Sequence, residues 1–323
     1  MKPRRRVRLI ALLLLAGSPL PAAAQDYPTR AITVIVPFPP GGASDVVARI
    51  VTDQMSRLLK QSFVIENVGG AGGTLGSARA AAAAPDGYTL LAAAMGSHVA
   101  APVLMPNVRY DPATSFVPIG ITAHSPAVVI ARKDFPAPDL KEFVAVLQRQ
   151  GDALKQAHGG IGASSHMSCL LFTKAIGATP TLVAYRGSAP ALNDLVGGHV
   201  DFLCEQSVAV AESVLGGTVK AYAVSGAERL ATLPNVPTAK EMGVPFEMSI
   251  WAGLFAPKDT PAEVVAKLAE ALDKALDEPS VRERLAQLGG TIPAKAERNP
   301  AAFDRFVRGE IARWAPLVSA SKP

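Results

Sequence analysis

The chain has 323 residues, 49% of them hydrophobic, with 32 Lys+Arg against 27 Asp+Glu. Five of the basic residues (Lys2, Arg4, Arg5, Arg6 and Arg8) stand in the first 24 positions, where there is no acidic residue; subtracting those 5 from 32 leaves 27 basic against 27 acidic. A neutral remainder, with no later Lys/Arg block and no RNA-binding aromatic motif, excludes the electrostatic footprint of a nucleic-acid or membrane-surface binder.

From the N-terminus, a basic stretch, the short apolar run Leu9–Ala16 and the small residues Ala22-Ala23-Ala24 read as an export signal over residues 1–24, cleaved after Ala24. The apolar run is far short of the roughly 20 residues a spanning helix needs. No Cys follows the cleavage site, which argues against a lipid anchor. Strands and helices then alternate: strand Ile32–Val36, helix Ser44–Leu59, strand Ser62–Glu66, helix Leu75–Ala84 and strand Tyr88–Ala93. This order predicts a parallel sheet with helices on both faces. Composition shifts over Phe116–Lys133, where Pro126–Ala131 reads as a long buried strand. A second series follows, with helices Leu140–Gln150, Met167–Ile176, Ala189–Val196 and Ser207–Leu215. Its strands are Gln156–His158, Thr181–Tyr185, Val200–Cys204 and Lys220–Val224. The apolar strand Ile250–Ala256 precedes helices Pro261–Asp277, Val281–Leu288 and Pro300–Ser319. About 300 residues after the signal suit two domains rather than one. The expected architecture is therefore α/β and two-lobed with a cleft, residues 25–123 plus 250–323 forming lobe 1 and 124–249 lobe 2.

In open α/β sheets ligands sit beyond the carboxyl ends of strands. Four polar or Gly-rich loops fall there: Pro39–Ser44, Gly96–His98, Gly160–Ser165 and Glu205–Ser207. The first carries the clearest signal. After the run Ile32, Val34, Ile35 and Val36, the chain breaks at Pro37, Pro39 and Pro40, passes Gly41 and Gly42, and enters a helix at once. Such a helix N-terminus presents unpaired N–H groups and the positive end of a dipole, which suits a small anion. The Gly-Lys-Ser/Thr ending of a nucleotide loop is absent. The loop Ala157–His166 repeats the arrangement. Two such loops in two lobes suit the ends of a dicarboxylate, or one carboxylate and one polar end. Either loop alone also fits tight turns and helix caps.

Individual residues carry two readings each. Asp45 complements the first turn of its helix and either fixes the loop or touches ligand. Ser97 and His98 end a strand at the expected cleft, where a hydroxyl suits a carboxylate, although His98 also fits a satisfied loop residue. Glu205 either binds an amine or ring nitrogen or repels additional acid groups. His166 reads as a structural hydrogen-bonding residue. The Gly69–Gly76 run has Leu75 where a dinucleotide fingerprint needs its last glycine. There is no G-x-S-x-G, H-E-x-x-H or C-x-x-C, so neither catalysis, a cofactor nor a metal is expected. The alternative enzyme reading is a secreted hydrolase or transferase using Ser164 or Ser97. Cys169 and Cys204 fit one disulfide in an exported protein or two buried thiols.

The ordered set Pro37-Phe38-x-Pro40-Gly41-Gly42-x-x-Asp45-x-x-Ala48-Arg49 resembles the signature of the periplasmic receptors of tripartite tricarboxylate transporters, the Bug receptors. Matches continue through Asn67-x-x-Gly70-Ala71-Gly72-Gly73-x-x-Gly76, Ala84-Pro85-Asp86-Gly87-Tyr88-Thr89-Leu90 and Tyr185-Arg186-Gly187-x-x-Pro190-Ala191. Gly197-Gly198-x-Val200-Asp201, Val236-Pro237-Thr238 and Trp251-x-Gly253-Leu254-x-Ala256-Pro257 complete the series. The resemblance covers essentially the whole chain after the signal. It implies a Venus-flytrap fold, type II-like, each lobe a mostly parallel sheet flanked by helices. It further implies a monomeric periplasmic protein that binds a small mono- or dicarboxylate and delivers it to inner-membrane permease subunits. A sensor for a membrane kinase is the alternative. The implied ligand-binding set is Phe38, Pro40, Gly41, Gly42, Ala43, Asp45, Ser97, His98, Gly162, Ala163, Ser164, Ser165 and Glu205. Ala163 departs from the Ser or Thr usual in such receptors, and His158 stands where many carry Ser. Glu205 suits a ligand with a cationic or hydrogen-donating group, such as an amino acid or a pyridine carboxylate.

Overall fold

A computed structural model describes residues 27–319. The expected signal, residues 1–24 with its cleavage point, lies outside the described residues. Strand β1 (Ile32–Val36) buries Ile32, Val34 and Val36 completely. It lies between β2 (Phe63–Asn67) and β3 (Thr89–Ala94), parallel to both. Helix α1 (Ala43–Leu59) connects β1 to β2, and α2 (Thr74–Ala81) leads towards β3. Residues Val47, Val51 and Met55 of α1 recur at helical spacing, so one stripe is buried, in contact with α8 (Ala262–Asp277).

The segment expected as an open loop after β3 is instead a π-helical turn, Gly96–Ala100, running into the short helix α3 (Ala101–Leu104). All five residues of that turn are buried. Strand β4 (Phe116–Arg132) is 17 residues long, far beyond the expected Pro126–Ala131. Pro118, Gly120, His124 and Ser125 interrupt its apolar pattern, and its register shifts between Pro118 and Gly120 and between Ile121 and Ala123. Such bulges hide a strand from period-two reading and bend it.

Strand β4 belongs to both parts of the sheet. Up to Pro126 it pairs antiparallel with β9 (Ser249–Pro257). From Ala127 it lies between β7 (Phe202–Gln206) and β8 (Val219–Val224), antiparallel to both. Helix α4 (Leu140–Gln150) precedes β5 (Lys155–His158), which is parallel to β7 and to β6 (Thr181–Ala184). The strand order is β2-β1-β3-β9-β4-β7-β5-β6, with β8 on β4. Each lobe thus contains three parallel strands, attached to antiparallel crossing strands. Helices α5 (Ser164–Ile176), α6 (Ser188–Val196) and α7 (Ser207–Leu215) cover the second lobe. Helix α8 with α9 (Pro279–Gln287) and α10 (Pro300–Ser319) returns to the first. No helix among the described residues is long and apolar enough to cross a membrane.

In each lobe the chain leaves the central strand in opposite directions, from β1 towards β2 and β3, and from β5 towards β6 and β7. These are topological switch points, where open α/β sheets bind ligands. Cys169 and Cys204 form a disulfide, with Cα atoms 5.0 Å apart, that ties α5 to β7.

Candidate functional site

The loops leaving the two switch points meet around a gap of about 300 Å³ including its mouth, next to a second cavity of about 560 Å³ that Phe38, Pro39, Gly160 and Arg186 help to line. Phe38, Gly42, Ala43 and Ser44 line the gap from the β1–α1 connection. Ala163 and Ser164 face it from α5, Ser188 from α6, and Glu205 and Gln206 from the β7–α7 junction. Only about 20 Å³ admits the centre of a water molecule, enough for a water or two, so the jaws stand close together.

The common feature of these walls is the helix N-terminus. Gly42, Ala163, Gly187 and Gln206 precede α1, α5, α6 and α7, and none supplies a side-chain cap. A Ser, Thr, Asn or Asp cap is worth about 0.5–2 kcal/mol per helix. Four helices forgo it around one gap. The first intrahelical bonds reach Gly42 O from Val46 N in α1, and Ala163 O from Met167 N in α5. The amides of Ala43, Ser44, Ser164 and Ser165 precede those bonds and are left for another acceptor. Each helix adds about half a positive charge at this end.

Asp45 holds the first loop rather than facing the gap. Its Oδ2 accepts from Gly41 N and Arg49 Nε, both at 2.9 Å. Its Oδ1 accepts from Asn67 Nδ2 at 2.9 Å and pairs with Arg49 Nη2 at 2.9 Å. Asn67 Nδ2 also donates to Phe38 O at 2.9 Å, so the turn is fastened from two sides. Burial alone would raise the Asp45 pKa; hydrogen bonds from Arg49, Gly41 and Asn67 together outweigh it and hold the carboxyl below its usual range. Gly41, at φ +82°, sits where only glycine is unstrained. Pro40 and Gly41 are exposed at the rim.

The second loop is fastened by imidazoles. Gly160 N donates to His158 Nδ1 at 3.2 Å and Gly162 N to His166 Nδ1 at 3.4 Å. The two rings lie 4.6 Å apart. Burial lowers the pKa of both, and with the nearby His158 it brings His166 to about 4, which keeps both rings neutral acceptors. Ser165 Oγ accepts from Gly159 N at 2.9 Å, so this hydroxyl also serves the loop. Gly162 lies on the seam: a Cβ there would sit 2.6 Å from Ala101 Cα.

The structure does not bring Ser97 and His98 to the gap. Ser97 is fully buried, its Oγ donating back to Ala94 O at 3.2 Å, while Tyr110 Oη donates to its carbonyl. His98 is enclosed by Phe255 and Phe116, with ring centroids at 4.4 and 5.2 Å, and by Tyr110 and Trp251. Neither of its nitrogens has a hydrogen-bond partner, and burial lowers its pKa to about 3. The helical turn beginning at Gly96 rotates both side chains inward. Ser44 and Gln206 line the gap from two of the four loops expected there, whereas Ser188 lines it from outside all four. For Ser188 the signal was available: Tyr185-Arg186-Gly187 repeats the passage from strand through glycine into helix.

Glu205 is 1% exposed. Its Oε1 accepts from Gln206 N at 2.9 Å, and its Oε2 has no hydrogen-bond partner. Burial raises its pKa; the Ser188 hydroxyl, the Gln206 amide and the Ser165 hydroxyl pull it partly back. Neither serine completes a hydrogen bond to Oε2.

The family described as "Tripartite tricarboxylate transporter family receptor" matches residues 47–322. MatC from Rhodopseudomonas palustris, solved with bound malate, is 44% identical, with a TM-score of 0.87 over 90% of this chain and 100% of that one. The periplasmic binding protein BugD is 41% identical, with a TM-score of 0.87 over 90% and 97%. Rpa4515 from R. palustris, solved with adipate, is 31% identical, with a TM-score of 0.86 over 91% and 99%. With this fold and this gap, the chain belongs to the receptor family of the tripartite tricarboxylate transporters, the periplasmic solute-binding proteins of the Bug type.

Proposed function

We propose that the protein captures a small organic carboxylate between its lobes and delivers it to an inner-membrane permease of the tripartite tricarboxylate type. The observation that carries this reading is the convergence of four uncapped helix N-termini from both lobes on one gap. No Lys, Arg or His is among the described residues lining it. A carboxylate would be held there by backbone amides, serine hydroxyls and helix dipoles. The malate and adipate bound by related receptors support the ligand class.

Ala43, Ser44, Ala163, Ser164, Ser188 and Glu205 form the binding set in this reading. Asp45, Ser165, Asn67 and the two histidines position the loops. The division into lobe 1, residues 25–123 plus 250–323, and lobe 2, residues 124–249, is supported by the change of partner along β4 after Pro126 and the start of β9 at Ser249, both close to those bounds. Ligand would favour the closed arrangement of the lobes, the form offered to the permease. Turnover is not part of the reading. Ser97 Oγ is turned back onto its own backbone, and Ser164 Oγ accepts from Gly96 N.

The test is thermal unfolding of protein freed of ligand by unfolding and refolding, with and without a panel of mono- and dicarboxylates. A ligand at one hundred times its Kd should stabilise the protein by about 2.7 kcal/mol. If no carboxylate raises the melting temperature, the reading fails.

A further inference from the structure

The donors around the gap leave one group unaccounted for. Glu205 is the one carboxylate among the described residues that line it. It is almost wholly buried, one oxygen is taken by its neighbour's amide, and the other meets no donor. Buried acceptors are normally paired, and leaving one empty is costly. The rest of the lining is dominated by donors: the amides opening α1 and α5, and the hydroxyls of Ser44, Ser164 and Ser188.

A plain carboxylate would satisfy those donors and do nothing for Oε2. If Glu205 is ionised, a plain ligand would also meet its charge at close range. We propose that Glu205 is a specificity-determining residue, and that the ligand is a short carboxylate carrying a hydrogen-bond donor, hydroxyl or ammonium, that Oε2 accepts. This proposal rests on the receptor reading. The carboxylate of the ligand faces the helix N-termini and its donor faces the end of β7. Such a donor would also favour the ionised form of Glu205, against the effect of its burial. Ser165 and Ser188, close to the same carboxyl, would complete its shell once the donor is in place.

The experiment is calorimetric titration of ligand-free protein with three matched series. These are propanoate, butanedioate and pentanedioate, each bare and with a hydroxyl or an amino group at carbon 2. Hydrogen bonds to charged groups predict that a donor-bearing member binds about ten- to hundredfold more tightly than its bare parent. Glu205→Leu should bring that ratio close to one. Glu205→Gln keeps an acceptor but loses the charge: it should collapse a preference for the amino compound and largely spare one for the hydroxy compound, which separates the two donors. Unfolding curves establish that each variant is folded, and Glu205→Met, which also lacks the carboxyl acceptor, takes the place of the Leu variant if that one is not. The proposal is overturned if bare and donor-bearing members bind equally well. It is also overturned if the ratio survives in both variants, or if the bare diacid binds better with proton uptake, which would make Glu205 the donor. If none of the nine compounds binds, the receptor reading itself fails, a different outcome from binding without preference.

Discussion

Gly96 and Ser164, 68 residues apart, meet across the seam between the lobes, where Gly96 N donates to Ser164 Oγ at 3.2 Å. A Cβ on Gly96 would lie 2.7 Å from Ser164 N and 3.0 Å from Gly162 O. Both are backbone atoms of the opposite lobe, so neither yields without moving the start of α5. Gly96→Ala is expected to wedge the lobes apart while leaving each intact. Ligand affinity should fall about tenfold or more, with the melting temperature of ligand-free protein nearly unchanged. Titration and scattering measurements check this; unaltered affinity would refute the closed seam as the binding form.

Asp45, itself buried, joins the Gly41 amide, Asn67 and the half-exposed Arg49 in one knot. Removing the acceptor strands those donors, so Asp45→Ala should cost about 2 kcal/mol or more and loosen the first jaw. The folded-state pKa is depressed. Its contribution is therefore present above the ordinary aspartate pKa and disappears as pH falls through the lower folded value. Denaturant unfolding across pH should show an acid-side loss that is smaller in Asp45→Asn.

His98 works in the same direction for a different reason. Its ring is enclosed by aromatic side chains and its pKa is lowered to about 3. Between the ordinary value near 6.5 and that value the unfolded chain takes up a proton that the folded protein refuses. Stability is therefore lost as pH falls through this window. The effect amounts to about 3 kcal/mol between pH 7 and 4. His98→Phe should be neutral to stabilising at pH 7, should flatten this limb, and should leave ligand binding intact. A fall in affinity at pH 7 in a folded variant would contradict the burial argument.

The disulfide between Cys169 and Cys204, 35 residues apart, ties the helix that begins at Ser164 to the strand carrying Glu205. Replacing both cysteines with Ala should cost about 2–4 kcal/mol and weaken ligand binding as α5 and β7 loosen against each other. Urea unfolding of the variant, and of the original protein with and without reductant, reads the first effect; titration reads the second.

Much of the architecture is legible from local chemistry. The alternating runs locate β1, α1, α4, β5, α7 and α10 closely, because burial imposes period two on strands and 3.6 on helices. The bulged half of β4 escapes this reading, since Pro118, Gly120, His124 and Ser125 break the pattern while β9 supplies the pairing. Ser97 and His98 escape it too. A Gly-Ser-His sequence after a strand suits a loop, and only the aromatic cluster of Tyr110, Phe116, Trp251 and Phe255 makes it a buried turn.

What the amino-acid sequence determined alone is local: the Pro-Gly-Gly turn into α1, the repeated glycine loop into α5, and the polar end of β7 at Glu205. These follow from backbone preferences acting over a few residues. Tertiary structure decided which ends meet. It brought Ser188 into the wall, turned His98 into the core, closed Cys169 onto Cys204, and left Glu205 Oε2 without a donor. Each depends on contacts between segments distant in the chain, whose pairing is set by packing over the whole sheet.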